Sequence, residues 1–238
     1  MIGWYPKEKE VLDKLLEEYL KPAANSKKIQ KSKQEAHGIV VPHAGYEYSG
    51  AIAGKAYALL ENSEFKRAVV LGPSHYQGFY GVRAFSKADT PMGSLEIIKN
   101  NFENLDYEHS VSNQLPFLKK LGFKEVLPLI IGDLNDQDAE NLAGDISKLD
   151  AAFIFSTDLS HFLKYEDASK IDKKTINILK NLDLEKWHNL DACGKFPLRV
   201  MMHLCKLQGW KPKLLEYKNS GDITGDKNRV VGYASLVF

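Results

Sequence analysis

Residues 37–50, which read H-G-I-V-V-P-H-A-G-Y-E-Y-S-G, decide the fold of this chain. Residues 37–41 form a short apolar run that predicts a buried β-strand, and Pro42 ends that run. Residues 50–61 predict a helix, because their small side chains allow close packing on a sheet. The stretch therefore indicates a strand, a turn and a helix in direct succession.

The same alternation continues to the C-terminus. Further buried strands are predicted over 67–72, 125–132, 151–156 and 229–237. A helix is predicted over 136–149 with Asp136 as its N-cap, and an amphipathic helix over 7–20. Shorter, antiparallel strands are expected within 81–97 and 213–217, and a polar, lysine-rich loop over 21–35. Together these patterns predict one α/β domain (1–238) with a central, mostly parallel or mixed sheet and helices on both faces.

The composition excludes several functional classes. The 238 residues include 32 Lys and Arg against 31 Asp and Glu, so the formal net charge is only +1. Nucleic-acid-coating proteins carry a strong excess of basic residues, so this composition does not predict a nucleic-acid partner. The N-terminus does not resemble a signal peptide, and no segment is apolar enough to cross a bilayer, which predicts a cytoplasmic protein without a membrane partner. Two cysteines do not indicate a disulfide framework.

Histidines follow three of the predicted internal strands. His43 comes after 37–41, His75 after 67–72 and His161 after 151–156, each beside small or turn-forming residues. Ligands of α/β proteins collect at the carboxyl ends of the strands, so we expect the three rings to converge at one edge of the sheet. Converging imidazoles suit metal binding or general acid/base chemistry.

Cys193 is the fourth candidate, because it precedes a helix predicted near Pro197. A cysteine near a helix N-terminus is well placed to act as a thiolate ligand or nucleophile. Asp158 lies in the loop that carries His161, where it could orient an imidazole or cap the next segment. His109 is an equally good candidate for a residue of the site and for a structural role beside the capping residues of a helix predicted near Ser112. Cys205 shares an apolar helical face and is predicted to lie in the core.

The motifs around these residues closely resemble those of the Memo family, component B of the AmmeMemoRadiSam set of bacteria and archaea. The resemblance covers nearly the whole chain, with the motifs in the expected order. They are G-W-Y-P (3–6), P-H-A-G-Y-E-Y-S-G (42–50), G-P-S-H (72–75), E-H-S-V-S-N-Q-L-P-F (108–117), S-T-D-L-S-H-F (156–162), D-A-C-G-K-F-P (191–197), S-G-D (220–222) and V-V-G-Y-A-S (230–235).

The resemblance implies a fold similar to the class III extradiol dioxygenases and a metal pocket of His43, His75 and Cys193. It places His161 and Asp158 beside that pocket, implies copper or iron as the metal, and implies a functional link to a radical SAM protein. Extradiol ring cleavage uses two histidines and a carboxylate around iron(II). The thiolate of Cys193 instead favours copper(I), zinc or a redox role.

Three functional hypotheses remain open at this point. The first is a metal-dependent redox enzyme acting on an unknown small molecule, with His161 and Asp158 as catalytic groups and Tyr46, Tyr76 and His109 lining the pocket. The second is a non-catalytic module that binds a peptide or small anion, with tyrosines as aromatic walls. The third is a hydrolase in which Cys193 is the nucleophile and Asp158 orients a histidine base.

Overall fold

The computed structural model describes residues 3–21, 36–61 and 63–238. All of the predicted 21–35 loop except Lys21 lies outside the described residues. The elements of the first half are α1 (Lys9–Leu20), β1 (Gly38–Val41), α2 (Tyr46–Leu60), β2 (Arg67–Pro73), β3 (Val82–Phe85), β4 (Asp89–Thr90), β5 (Gly93–Ser94), β6 (Glu96–Ile97), β7 (Asn104–Leu105), α3 (His109–Ser112) and α4 (Leu115–Lys120). Those of the second half are β8 (Glu125–Ile131), α5 (Asp136–Ile146), β9 (Ala152–Ser156), β10 (His161–Leu163), α6 (Tyr165–Asn181), a 3₁₀ helix (Leu184–Asn189), α7 (Lys195–Gln208), β11 (Lys213–Asn219), α8 (Ser220–Thr224) and β12 (Val230–Val237).

A mixed sheet of ten strands organises the described part of the chain. Its order is β10-β12-β1-β9-β2-β8-β3-β7, with β11 paired to β12 and β6 paired to β8. The central strands β1, β9, β2 and β8 are parallel neighbours, whereas β12 and β3 run antiparallel beside them. This confirms the predicted mixed sheet and the short strands within 81–97 and 213–217. The pairs β3–β8, β4–β5 and β11–β12 are antiparallel as predicted, whereas β6 pairs parallel to β8.

Helices cover both faces of the sheet, as predicted. Successive residues of β1 point to opposite sides, so Ile39 and Val41 join one apolar cluster and Val40 joins the other. The first cluster takes the buried faces of α1, α2 and α4, and the second takes those of α5, α6 and α7. No helix in the described ranges is long and apolar enough to cross a membrane.

Several helix boundaries differ from the predictions, among them the start near Ser112, which lies at His109, and three others that are set by a cap earlier in the chain. Helix α2 begins at Tyr46 rather than residue 50, because Gly45 serves as its N-cap. Helix α5 is capped by Asn135, whose side chain accepts a hydrogen bond from the Asp138 backbone, so Asp136 is the first helical residue and not the cap. Helix α7 begins at Lys195 instead of near Pro197. In each case the local cap lies one to five residues before the predicted start.

Candidate metal centre

Three of the predicted ligands meet at the carboxyl edge of the central strands. His43 follows β1, His75 follows β2, and β9 lies between these two strands in the sheet. Cys193, just before α7, completes the group, and one nitrogen or sulfur atom from each of the three residues lies within 4.8 Å of the others. The sheet order therefore brings together residues that are as much as 150 positions apart in the chain.

The Cys193 turn packs directly on the end of β9. Its backbone N–H donates to the Asp158 carbonyl at 3.2 Å, and the Asp158 backbone N–H donates to Cys193 Sγ at 3.2 Å. Gly194 makes this approach possible, since a Cβ at that position would lie 2.6 Å from Thr157 Cβ. Cys193 Sγ thereby comes to 3.3 Å from His43 Nε2.

Cys193 is a neutral thiol when no metal is bound. Burial, together with the negative charge of Asp158, raises the pKa of Cys193 to about 12. The nearby start of α7 does not outweigh these two effects. Because a thiolate and not a thiol is the nucleophile, a nucleophilic role would need a strong base beside Cys193.

His43 is a buried, neutral imidazole. It is 2% exposed, and burial, together with repulsion from His75 when that ring is protonated, holds the pKa of His43 well below its usual value. Its backbone N–H donates to Asp158 Oδ1 at 2.8 Å, and its Nδ1 lies 2.9 Å from Ser156 Oγ. Such a weakly basic ring is a poor general base but a suitable metal ligand, since metals bind neutral imidazole.

Glu108, which sequence reasoning did not single out, holds His75. It is 1% exposed, and its carboxylate accepts the His75 backbone N–H at 2.7 Å and lies 2.9 Å from His75 Nδ1. It also caps α3 by accepting the Ser110 N–H. Burial raises the pKa of Glu108, but the hydrogen bonds from His75 and Ser110 outweigh burial and lower it overall. An ionised Glu108 accepts a hydrogen bond from Nδ1–H, so Nε2 is the nitrogen through which a neutral His75 can bind a metal. An acidic residue just before a helical turn was the sequence signal for this role.

We expect Glu108→Gln to weaken metal binding by about 10- to 100-fold, because partners of ligating histidines contribute on this scale. The substitution removes the charge and places an amide N–H₂ against donors that need an acceptor. Competition with a chromophoric chelator measures the affinity. Glu103→Gln is the matched control, since Glu103 is exposed and pairs with Arg83 on the surface. Equal affinities of the two variants would contradict this role.

His109 lies beside the two histidine ligands. Its ring centroid is 4.4 Å from that of His75, and it stacks on Trp4 at 4.2 Å with an interplanar angle of 7°. Burial, together with the repulsion that His43 and His75 exert when protonated, lowers the pKa of His109 to about 3. Trp4 therefore links the G-W-Y-P motif to the site. His75, Glu108 and His109 form a second group of potential ligand atoms, but this group shares His75 with the first.

Tyrosines stand at the mouth of the cluster. Tyr76 is 48% exposed, its hydroxyl lies 3.0 Å from His109 Nδ1, and its ring packs against Tyr107 at 4.6 Å. The His75 side chain is 26% exposed, so the group is open to solvent on this side. A cavity of about 640 Å³ lies elsewhere, between α6 and the 3₁₀ helix, and no cluster residue lines it.

Tyr46 does not line the mouth with Tyr76, because the structure places its ring in the core. It is 4% exposed and packs against Phe117, with ring centroids 5.1 Å apart. Its hydroxyl donates to the Asn113 carbonyl, and the Asn113 amide in turn donates to the His43 carbonyl. The early start of α2 turns this side chain inward, so Tyr46 reaches the cluster only through Asn113.

Asp158 and His161 occupy different positions relative to the cluster. Asp158 is 5% exposed, burial raises its pKa, and its Oδ2 lies 4.0 Å from His43 Nε2. His161 begins β10, pairs with β12 and is half-buried. It belongs to neither group of potential ligand atoms in the described part of the chain. Its charge nevertheless influences both His43 and Asp158.

The donor set can hold a metal ion. Tetrahedral coordination at typical zinc–nitrogen and zinc–sulfur distances separates ligand atoms by about 3.5 Å. The observed 3.3 Å between Cys193 Sγ and His43 Nε2 is close to that spacing. Two imidazoles and a thiol are ligands for zinc, copper or iron, and they differ from the two-histidine, one-carboxylate set of ring-cleaving enzymes.

This chain is similar to known proteins over nearly its whole length. The family model described as Memo-like protein matches residues 3–237. A MEMO1 family protein of Thermoplasma acidophilum is 35% identical over 98% of this chain and 95% of its own length. MEMO1 family proteins of Aquifex aeolicus and Archaeoglobus fulgidus are 33% and 31% identical, each over 99% of this chain and 96% of their own length.

Proposed function

This chain belongs to the Memo-like protein family, and on that premise we propose that it is a metal-dependent redox protein whose ion is held by His43, His75 and Cys193. The proposal rests on one observation. Both histidines have their Nδ1 atoms engaged by buried partners, so both Nε2 atoms are available within reach of the same thiol.

Copper or iron is the proposed metal, with zinc as the third candidate. A thiol and two imidazoles are softer donors than the oxygen ligands that magnesium and calcium prefer. A bound copper or iron ion would supply one-electron chemistry, which none of the side chains in the cluster supplies alone. The exposed edge of His75 leaves access for a small molecule.

The surrounding residues have proposed roles that follow from their positions. Asp158, with its raised pKa and its carboxylate 4.0 Å from His43 Nε2, would hold or release a proton beside the metal position. His161 would act as a second proton-transfer group. Tyr76 and His109 would position the substrate at the mouth. The cytoplasmic location and the functional link to a radical SAM protein stay predictions.

Elemental analysis of anaerobically purified protein tests the metal proposal. We expect close to one equivalent of copper, iron or zinc per chain, and oxygen consumption after reconstitution with one redox-active metal. Protein that is purified without metal and cannot be reloaded would refute the metal site. Loaded protein that neither consumes oxygen nor cycles between oxidation states would refute the redox role alone.

A binding module is the second candidate function, favoured by the exposed Tyr76–Tyr107 pair beside a neutral His109. Aromatic side chains of this kind supply large contact areas for a peptide or an anionic group. Under this alternative, ligand binding would survive both chelation and Cys193→Ala. The hydrolase hypothesis finds less support, because the Cys193 thiol is protonated and His43 is too weak a base to activate it.

Metal affinity should rise with pH. Between pH 6 and 9 the Cys193 thiol keeps its proton, because its pKa is about 12, whereas His43 is already neutral. Metal binding must then release the thiol proton, so the apparent association constant should increase about tenfold per pH unit in this range. Chelator competition at a series of pH values measures the slope. A pH-independent affinity over this range would show that Cys193 does not bind as a thiolate.

A further inference from the structure

We infer that a buried hydrogen-bond relay formed by Gln114 and Ser156 holds His43 in its Nδ1–H tautomer, so that Nε2 faces the metal position. Gln114 and Ser156 are then positioning residues. They orient the ligand His43 but do not contact the metal position themselves. The hydrogen-bond geometry of the relay does not depend on the function proposed above, whereas its role in metal binding rests on that function.

The single proton of the Ser156 hydroxyl decides the tautomer. Ser156 Oγ lies 2.6 Å from the Ser110 carbonyl oxygen, 2.9 Å from Gln114 Nε2 and 2.9 Å from His43 Nδ1. A carbonyl oxygen can only accept, so the hydroxyl donates its proton to Ser110. Ser156 Oγ therefore acts as an acceptor toward both Gln114 and His43. Nδ1 of His43 must carry the proton that it donates.

The orientation of the Gln114 amide is set in the same way. Its Nε2 lies 3.1 Å from the Pro42 carbonyl oxygen, which can only accept a hydrogen bond. The Tyr57 hydroxyl donates to Oε1 on the other side at 2.9 Å. The amide nitrogen, and not the oxygen, consequently faces Ser156. The Pro42 carbonyl thus fixes the orientation of Gln114, and the Ser110 carbonyl fixes that of the Ser156 hydroxyl.

Burial makes this arrangement exclusive. Ser156 is 0% exposed, Gln114 1% and His43 2%, so bulk water cannot replace a lost partner. The opposite tautomer would require the Ser156 proton to leave the Ser110 carbonyl, and would place an N–H on the nitrogen nearest Cys193 Sγ. Unpaired buried polar groups are costly, which favours the single proton arrangement described here.

The two histidine ligands are therefore oriented by different means. Glu108 accepts a hydrogen bond from His75 Nδ1–H with a charged carboxylate, whereas Ser156 accepts one from His43 Nδ1–H with a neutral hydroxyl. In each neutral ring, Nε2 is then the nitrogen available to the metal. Without the relay, His43 would distribute its proton over both nitrogens, and metal binding would have to select the competent fraction.

Nitrogen-15 NMR of the metal-free protein measures the tautomer directly. In the wild type we expect His43 to show Nδ1 protonated and Nε2 unprotonated, with the resonances assigned by their loss in His43→Asn. In Ser156→Ala we expect a mixture of tautomers, and zinc affinity about 10- to 100-fold weaker by chelator competition. Ser156→Thr retains the hydroxyl and should restore the wild-type tautomer.

Ser235→Ala is the matched control. Ser235 is also a fully buried strand serine, and its hydroxyl has no protein partner among the described residues. This variant should keep both the tautomer and the zinc affinity of the wild type.

Three outcomes separate the relay from the proposed function. A wild-type His43 with Nε2 protonated would overturn the relay, even if Ser156→Ala did not fold. A Ser156→Ala protein with an unchanged tautomer and zinc affinity would also overturn it. A wild type with the expected tautomer that binds no metal would support the relay and refute only the proposed metal site.

Discussion

Replacement of Cys193 by alanine is expected to lower metal affinity by more than about 100-fold, because it removes one of the three proposed ligand atoms rather than a supporting partner. In the described part of the chain, Cys193 also contributes the only cysteine sulfur of the cluster. A site with two imidazoles alone would lose the donor that favours copper(I) or zinc. Metal content after dialysis against a weak chelator, together with competition titration, measures the loss.

The other cysteine provides the control for this experiment. Cys205 is 0% exposed and lies in the apolar core on α7, away from the cluster. Cys205→Ala should keep wild-type metal content while losing some thermal stability, since it leaves a small cavity. If Cys193→Ala retained full metal content, or if both variants lost it equally, the assignment of Cys193 as a ligand would be wrong.

Gly232→Ala is expected to reduce the free energy of unfolding by about 3 kcal/mol, through overpacking and the loss of hydrogen bonds to a buried carboxylate. A Cβ at Gly232 would overlap Asp172 Oδ2. Asp172 is 0% exposed and cannot move aside easily, because it accepts hydrogen bonds from the Ser160 backbone and the Tyr217 hydroxyl. For a chain of this size, the loss corresponds to a fall in Tm of about 6–12 °C.

The same contacts hold the loop that carries Asp158 and His161. Gly232 donates its N–H to the Ser160 carbonyl, and its own carbonyl accepts the Leu159 N–H. Gly144→Ala is the control with the opposite sign, since Gly144 lies inside α5 with no atom within 4 Å of an added Cβ. That variant should be stabilised by about 0.5–1 kcal/mol. A Gly232→Ala protein as stable as Gly144→Ala would show that Asp172 is not held in place.

The convergence of His43 and His75 could be predicted because their positions follow from a local pattern. An apolar run followed at once by His43 or His75 identifies a strand end, and parallel strands present their ends at one edge. His161 fits this pattern only in part. Four residues separate it from the end of β9, and the serine at that end, Ser156, makes the contact with His43 instead.

The partners of the ligands could not be predicted in the same way. Glu108 meets His75 across 33 residues, and Ser156 meets His43 across 113. Each contact depends on how α3 and β9 pack against the ends of β1 and β2, which no local spacing reveals. The prediction that Tyr46 lines the pocket differs from the structure for a related reason. Its orientation depends on where α2 begins, and a shift of a few residues in a helix turns a side chain to another face.

The amino-acid sequence was sufficient to establish the α/β class, the family and the donor types at the strand ends, because these are properties of local patterns and motifs. The tertiary structure was needed to show which nitrogen of each histidine is engaged by a buried partner, and that burial raises the pKa of Cys193. Tautomers and pKa values depend on burial and on hydrogen-bond partners that are distant in the chain. For this protein, Glu108 and Ser156 are those partners, and they make His43 and His75 suitable as a pair of metal ligands.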